Sequence, residues 1–66
     1  MQVTINGETK EITDELNLDE LLKHFSLPLE RVAIELNKEV VRKKDWEIVK
    51  IAEGDRLEVI HFVGGG

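Results

Sequence analysis

Cysteine is absent from this chain of 66 residues, so neither a disulfide framework nor a thiolate metal site can staple it. Stability must then come from an apolar core in a single domain near the lower size limit for unaided folding. Leu, Ile and Val dominate a hydrophobic content of 41%, enough for a small core. Basic residues are outnumbered, with 9 Lys and Arg against 14 Asp and Glu for a formal net charge of −5. That balance argues against a nucleic-acid binder, which needs a clustered basic surface to neutralise phosphates. The one basic run, Arg42-Lys43-Lys44, is short, is flanked by Asp45 and Glu47, and reads as a solvated turn. No apolar run approaches the roughly 20 residues of a membrane span. The start Met1-Gln2-Val3 shows no basic stretch leading into an apolar core, the mark of a signal peptide. A cytoplasmic protein, monomeric when free and meeting other proteins, is the expectation.

Catalytic chemistry is equally sparse. Ser26 is the only serine and has no base beside it in sequence. The carboxylates fall at positions that read as solvated faces, with no acid–base pair standing out. His24 and His61 cannot alone build a metal site, so no metal ligand set is expected. His24 lies off the apolar stripe of its helix, and His61 is expected to do no more than fill space. The three terminal glycines do not follow a strand-to-helix junction, which excludes a phosphate-binding loop. No catalytic residue and no bound cofactor are therefore expected.

What is present is a regular alternation of elements. Val3 and Ile5 alternate with polar neighbours as in a half-buried strand, and Asn6-Gly7 then supplies a strong hairpin signal. Residues 8–12 return as a polar edge strand whose charges discourage pairing with other chains. Leu18, Leu21, Leu22 and Phe25 share one face of a helix. Asn17 is its expected N-cap, with Glu20 completing a capping box, and Pro28 its stop. Val32, Ile34 and Leu36 mark a third strand, Asn37-Lys38 a tight reversal, and residues 39–41 a short fourth strand. Residues 42–52 lose regularity and predict a loop with one helical turn, in which Trp46 plugs the core rather than forming a binding platform. Glu53-Gly54-Asp55 marks a turn before a final strand over residues 56–62.

The end of the chain is the distinctive part. Leu57 and Val59 share one face of the last strand, but Ile60 and Phe62 are apolar on the face that Arg56 and Glu58 make polar. One helix covers one face of so small a sheet. Ile60 and Phe62 are therefore expected to form an exposed patch for a partner, unless a loop near Trp46 folds over them. Val63 and three glycines follow. By itself such a tail is either a frayed end or a vector-derived remnant, or else a thin arm that carries the Gly66 carboxylate into narrow active sites. The expected division is a globular domain over residues 1–63 and a flexible glycine tail over residues 64–66. The arrangement of elements is α+β, a small mixed sheet with one helix across one face, and it resembles the ubiquitin-like β-grasp fold. In that fold the first and last strands lie parallel at the sheet centre.

Over essentially its whole length the chain also resembles the ThiS family of sulfur carriers in thiamine biosynthesis. The likeness rests on the first strand ending in Asn6-Gly7, on Leu21-Leu22, and on the run from Ala33 to Val41. Trp46 after a polar spacer, Gly54-Asp55, and the terminal diglycine complete it. Arg42 stands where many relatives have proline, which alters a turn and not the chemistry. The resemblance implies a cycle on Gly66. A ThiF-type adenylyltransferase would join its carboxylate to AMP from Mg-ATP. Sulfur derived from a cysteine desulfurase would displace AMP, and the thiocarboxylate would feed a ThiG-type thiazole synthase. Gly64, Gly65 and Gly66 would thread the partners' active sites, and Ile60, Phe62 and Val63 would dock on their surfaces. Alternatives within the same chemistry are the small subunit of molybdopterin synthase and a ubiquitin-like modifier. A non-reactive β-grasp interaction module is the alternative outside it.

Overall fold

A computed structural model describes residues 1–62 of the chain. Strand β1 (Gln2–Ile5) turns into β2 (Glu8–Glu11), and helix α1 (Leu18–His24) leads to β3 (Val32–Leu36) and β4 (Glu39–Val41). A 3-10 turn at Lys43–Asp45 precedes the last strand, β5 (Arg56–His61). The five strands form one sheet in the order β2-β1-β5-β3-β4. β5 lies parallel to β1 and antiparallel to β3, so the first and last strands occupy the centre as the fold resemblance implied.

Two reversals set the strand registers. Asn6 (φ 49) and Gly7 (φ 82) both adopt positive φ, the requirement of a two-residue type I′ loop, and Ile5 then pairs with Glu8. The same geometry recurs between β3 and β4, where Asn37 (φ 52) and Lys38 (φ 72) leave Leu36 opposite Glu39. Lys38 carries a Cβ in a region that only glycine visits without strain. A Lys38→Gly chain is expected to be more stable than wild type by about 0.5–1 kcal/mol, because the relieved strain exceeds the entropy of the added glycine. Urea unfolding measures it, and a lower midpoint would contradict this account of the turn.

Helix α1 starts where its caps predict. Asn17 Oδ1 accepts the Glu20 N–H at 2.8 Å, and Glu20 Oε1 accepts the Asn17 N–H at 2.9 Å, a complete capping box that contributes about 1 kcal/mol. Lys23 sits 2.8 Å from Asp19 one turn away, and that hydrogen bond holds the Lys23 ammonium above its ordinary value. The far end closes ahead of Pro28, which lies three residues past the C-cap Phe25 and keeps the helix from continuing, as expected. Ser26 at φ 55 donates to the Lys23 carbonyl, and Leu27 donates to the Leu22 carbonyl at 2.8 Å. This is a Schellman closure with serine at the left-handed position usually held by glycine. Phe25 becomes the C-cap, half-buried at the core margin.

Leu18, Leu21 and Leu22 pack against Val3, Ile5, Ile34 and Leu57 of the sheet, closing the core on one face. Ile12 lies one residue beyond β2 yet is fully buried, its N–H bonded to the Met1 carbonyl. The irregular segment of residues 42–52 wraps the start of α1. Val49 and Trp46 carbonyls accept the N–H groups of Leu18 and Asp19, satisfying donors that a helix N-terminus leaves open. Trp46 is 3% exposed, and its Nε1–H donates to the Val41 carbonyl at 3.1 Å, so it is the core plug the sequence suggested. On the β2 edge the charges stand as expected. The Lys10 ammonium, 2.8 Å from Glu8, holds that carboxyl below its ordinary value, chiefly by the hydrogen bond. Among the described residues no helix is long and apolar enough to cross a membrane.

Candidate functional site

The candidate site is the end of β5 and the open face of the sheet beside it. β5 is held there from three sides. Asn6 Oδ1 accepts the Val59 N–H at 2.8 Å, so the hairpin residue that supplies the turn also pins the last strand. β3 supplies a ladder that runs from Leu36↔Leu57 to Val32↔His61. Past the ladder, Phe62 donates its N–H to the Arg31 carbonyl at 2.8 Å. The strand thus ends at His61, one residue before the expected limit, because Arg31 is in a left-handed conformation (φ 57) outside β3 and ends the ladder there.

Side-chain direction follows from register. Ile34 and Leu57 face the helix and are buried, so their neighbours Ala33, Glu35, Glu58 and Ile60 stand on the open face. Ile60 is 43% exposed and Phe62 is 56% exposed. The covering loop that would have hidden them does not do so: Trp46 packs on the helix side of the sheet, joined to Asp19. Val40, at 68%, adds to the same face from β4, opposite Glu35. His61 is exposed at the strand end. Val63, the third residue expected in the docking patch, and the expected tail residues Gly64, Gly65 and Gly66 lie outside the described residues. The division between domain and tail falls there too.

Val40 and Glu35 were not singled out from the sequence, and Glu58 was noted only as a polar residue of the last strand. Their alternation was legible, but which strand lies beside which decides whether they meet, and that register is a long-range fact. Among the described residues no group of three His, Cys, Asp or Glu side chains could hold a metal ion. No polar or charged side chain is buried among them.

A mixed five-stranded sheet with parallel first and last strands, one crossing helix, and an open face at the end of the last strand defines a ubiquitin-like β-grasp protein. Within that class, the family model described as "ThiS family" matches residues 3–66, and the chain belongs to the ThiS family. It is 35% identical over 63 residues to the sulfur carrier protein ThiS of Bacillus subtilis, covering 94% of this chain and 96% of that protein. The crystal structure of the thiamine biosynthesis protein ThiS from Geobacter metallireducens superposes with a TM-score of 0.88 at 33% identity, each chain covered in full. A protein named thiazole synthase, from Paramagnetospirillum magneticum, is 35% identical over 66 residues. That match takes in the whole of this chain and 20% of the relative, so the chain spans about a fifth of the synthase's length.

Proposed function

We propose that the chain is a sulfur carrier for thiazole synthesis in thiamine biosynthesis, acting as a co-substrate whose reactive group is the Gly66 carboxylate. The carboxylate attacks the α-phosphorus of ATP on a ThiF-type adenylyltransferase, and pyrophosphate leaves. A persulfide derived from a cysteine desulfurase attacks the acyl carbon, AMP leaves, and a thiol reduces the resulting S–S bond to free the thiocarboxylate. Mg-ATP belongs to the activating enzyme, and the carrier itself binds no cofactor. The soft sulfur nucleophile then passes to a ThiG-type thiazole synthase. All of this takes place in the cytoplasm, where the lack of cysteine keeps the carrier's own body from competing for sulfur.

The observation that carries this reading is the span of the family match, which runs from the first strand through Gly66. Gly64, Gly65 and Gly66 then serve as a spacer without side chains that admits the carboxylate to two active sites in turn. Ile60 and Phe62, exposed beside its root, give the partners an apolar dock, with Val63 continuing it. The likeness of the whole chain to a fifth of a thiazole synthase supports that client, since a carrier and its acceptor gain from being held together. Complementation tests the client. The chain is expected to restore growth of a thiamine-requiring strain that lacks its own carrier, and not of a strain lacking the small subunit of molybdopterin synthase. The opposite pattern would reassign the acceptor.

A further inference from the structure

The open face sets two carboxylates side by side with no ion pair to either among the described residues. Register places Glu35 of β3 directly opposite Glu58 of β5, with Val40 of β4 opposite Glu35 in the next strand. Like charges facing one another across antiparallel strands destabilise a sheet. Arg56 lies on this face two residues before Glu58, and Arg42 two residues beyond Val40. Yet among the described residues no ammonium or guanidinium lies within 4.0 Å of either carboxylate. Around the acidic rung stand exposed Ile60, Phe62 and Val40.

We propose that the Glu35–Glu58 rung receives an arginine of the activating enzyme, with Ile60, two residues beyond Glu58 on the same face, packing against that arginine's aliphatic stem, and Val40 and Phe62 making separate apolar contacts to either side. The inference rests on the carrier reading above and gives its docking face a specific partner chemistry. Cβ atoms of directly opposed residues lie about 5 Å apart, so two carboxylates can close on the two edges of one planar guanidinium. Lysine offers a point charge without that fork. A second copy of this chain is the wrong occupant: it would set four carboxylates face to face between two molecules, each with a net charge of −5. A guanidinium seated between them places an opposite charge beside both carboxylates at once, which favours a basic partner surface. A neutral or acidic surface is rejected, because it would bury both charges unpaired.

The test compares the wild-type chain with the double variant Glu35→Gln/Glu58→Gln in binding to the ThiF-type enzyme, at low and at high sodium chloride. Thiocarboxylate formation and urea unfolding are followed on the same samples. The expected result is a Kd raised about tenfold at low salt, with a flattened salt dependence, while the unfolding midpoint is unchanged or higher. Glu58→Arg alone should weaken binding at least as much. Equal Kd and equal salt dependence for wild type and the double variant overturn the inference, and if wild type is thiocarboxylated the carrier reading survives that result. A wild-type chain that neither binds nor reacts overturns both.

Discussion

A chain lacking Gly65 and Gly66, or extended by one residue beyond Gly66, is expected to acquire no sulfur while folding as wild type does. The two halves of this result come from different parts of the molecule. The buried core among the described residues runs from Val3 to Leu57, and β5 is fixed by Asn6, β3 and Arg31 before the glycines begin. Removing or adding a terminal residue leaves those contacts in place. The chemistry, by contrast, needs one carboxylate at one distance from the docking face. Shortening the tail by two residues draws the carboxylate back by about 7 Å, roughly two fully extended residues. Extension puts an amide where the carboxylate belongs. Displacements far smaller than that already cost enzymes orders of magnitude in rate. Intact mass reads the sulfur and urea unfolding reads the fold. Sulfur uptake by the truncated chain at the wild-type rate would move the reactive group away from Gly66 and favour a non-reactive role for the tail.

The second large effect is on stability. Trp46→Ala is expected to cost about 3–5 kcal/mol, the range for removing a large aromatic side chain from a core. A chain of this size has only about 3–10 kcal/mol in total. The variant should therefore be largely unfolded at physiological temperature, with Trp46→Phe intermediate. Two losses combine: the filled volume between the sheet and the start of α1, and the Nε1–H bond that closes the Val41 carbonyl. Circular dichroism during thermal unfolding measures both variants. Wild-type stability in Trp46→Ala, together with lost binding to the activating enzyme, would make Trp46 a recognition residue instead of a core plug.

Much of this fold is legible locally. Asn6-Gly7 marks its hairpin because few other residue pairs accept positive φ twice in succession, and the capping box of Asn17 and Glu20 marks a helix start within one residue. Less legible is the way the helix closes, where a left-handed Ser26 ahead of Pro28 does the work of a glycine. At Asn37-Lys38 the reversal itself is legible, but the positive φ of Lys38 is not, since a lysine gives no sign of the strained backbone it occupies. Sheet order is harder again. The parallel pairing of Thr4 with Arg56 and Ile5 with Leu57 joins residues some fifty positions apart, which leaves no periodic trace in either strand. Family likeness supplied that pairing, and periodicity did not.

The candidate site divides along the same line. Ile60 and Phe62 were visible as a break in alternation, and the structure leaves them exposed because Trp46 packs on the opposite side of the sheet. The acidic rung between them and Val40 depends on register alone, so it emerged only with the fold. Val63 and the glycines lie outside the described residues, and their role rests on chemistry.

The most direct test of the sulfur-carrier account is the intact mass of the wild-type chain after incubation with its ThiF-type enzyme, Mg-ATP, a cysteine desulfurase and cysteine. The account predicts the mass gain of one oxygen replaced by sulfur, localised by fragmentation to Gly66 and absent when ATP is withheld. An unchanged mass, under conditions in which the Bacillus subtilis relative gains sulfur with its own enzyme, would contradict it.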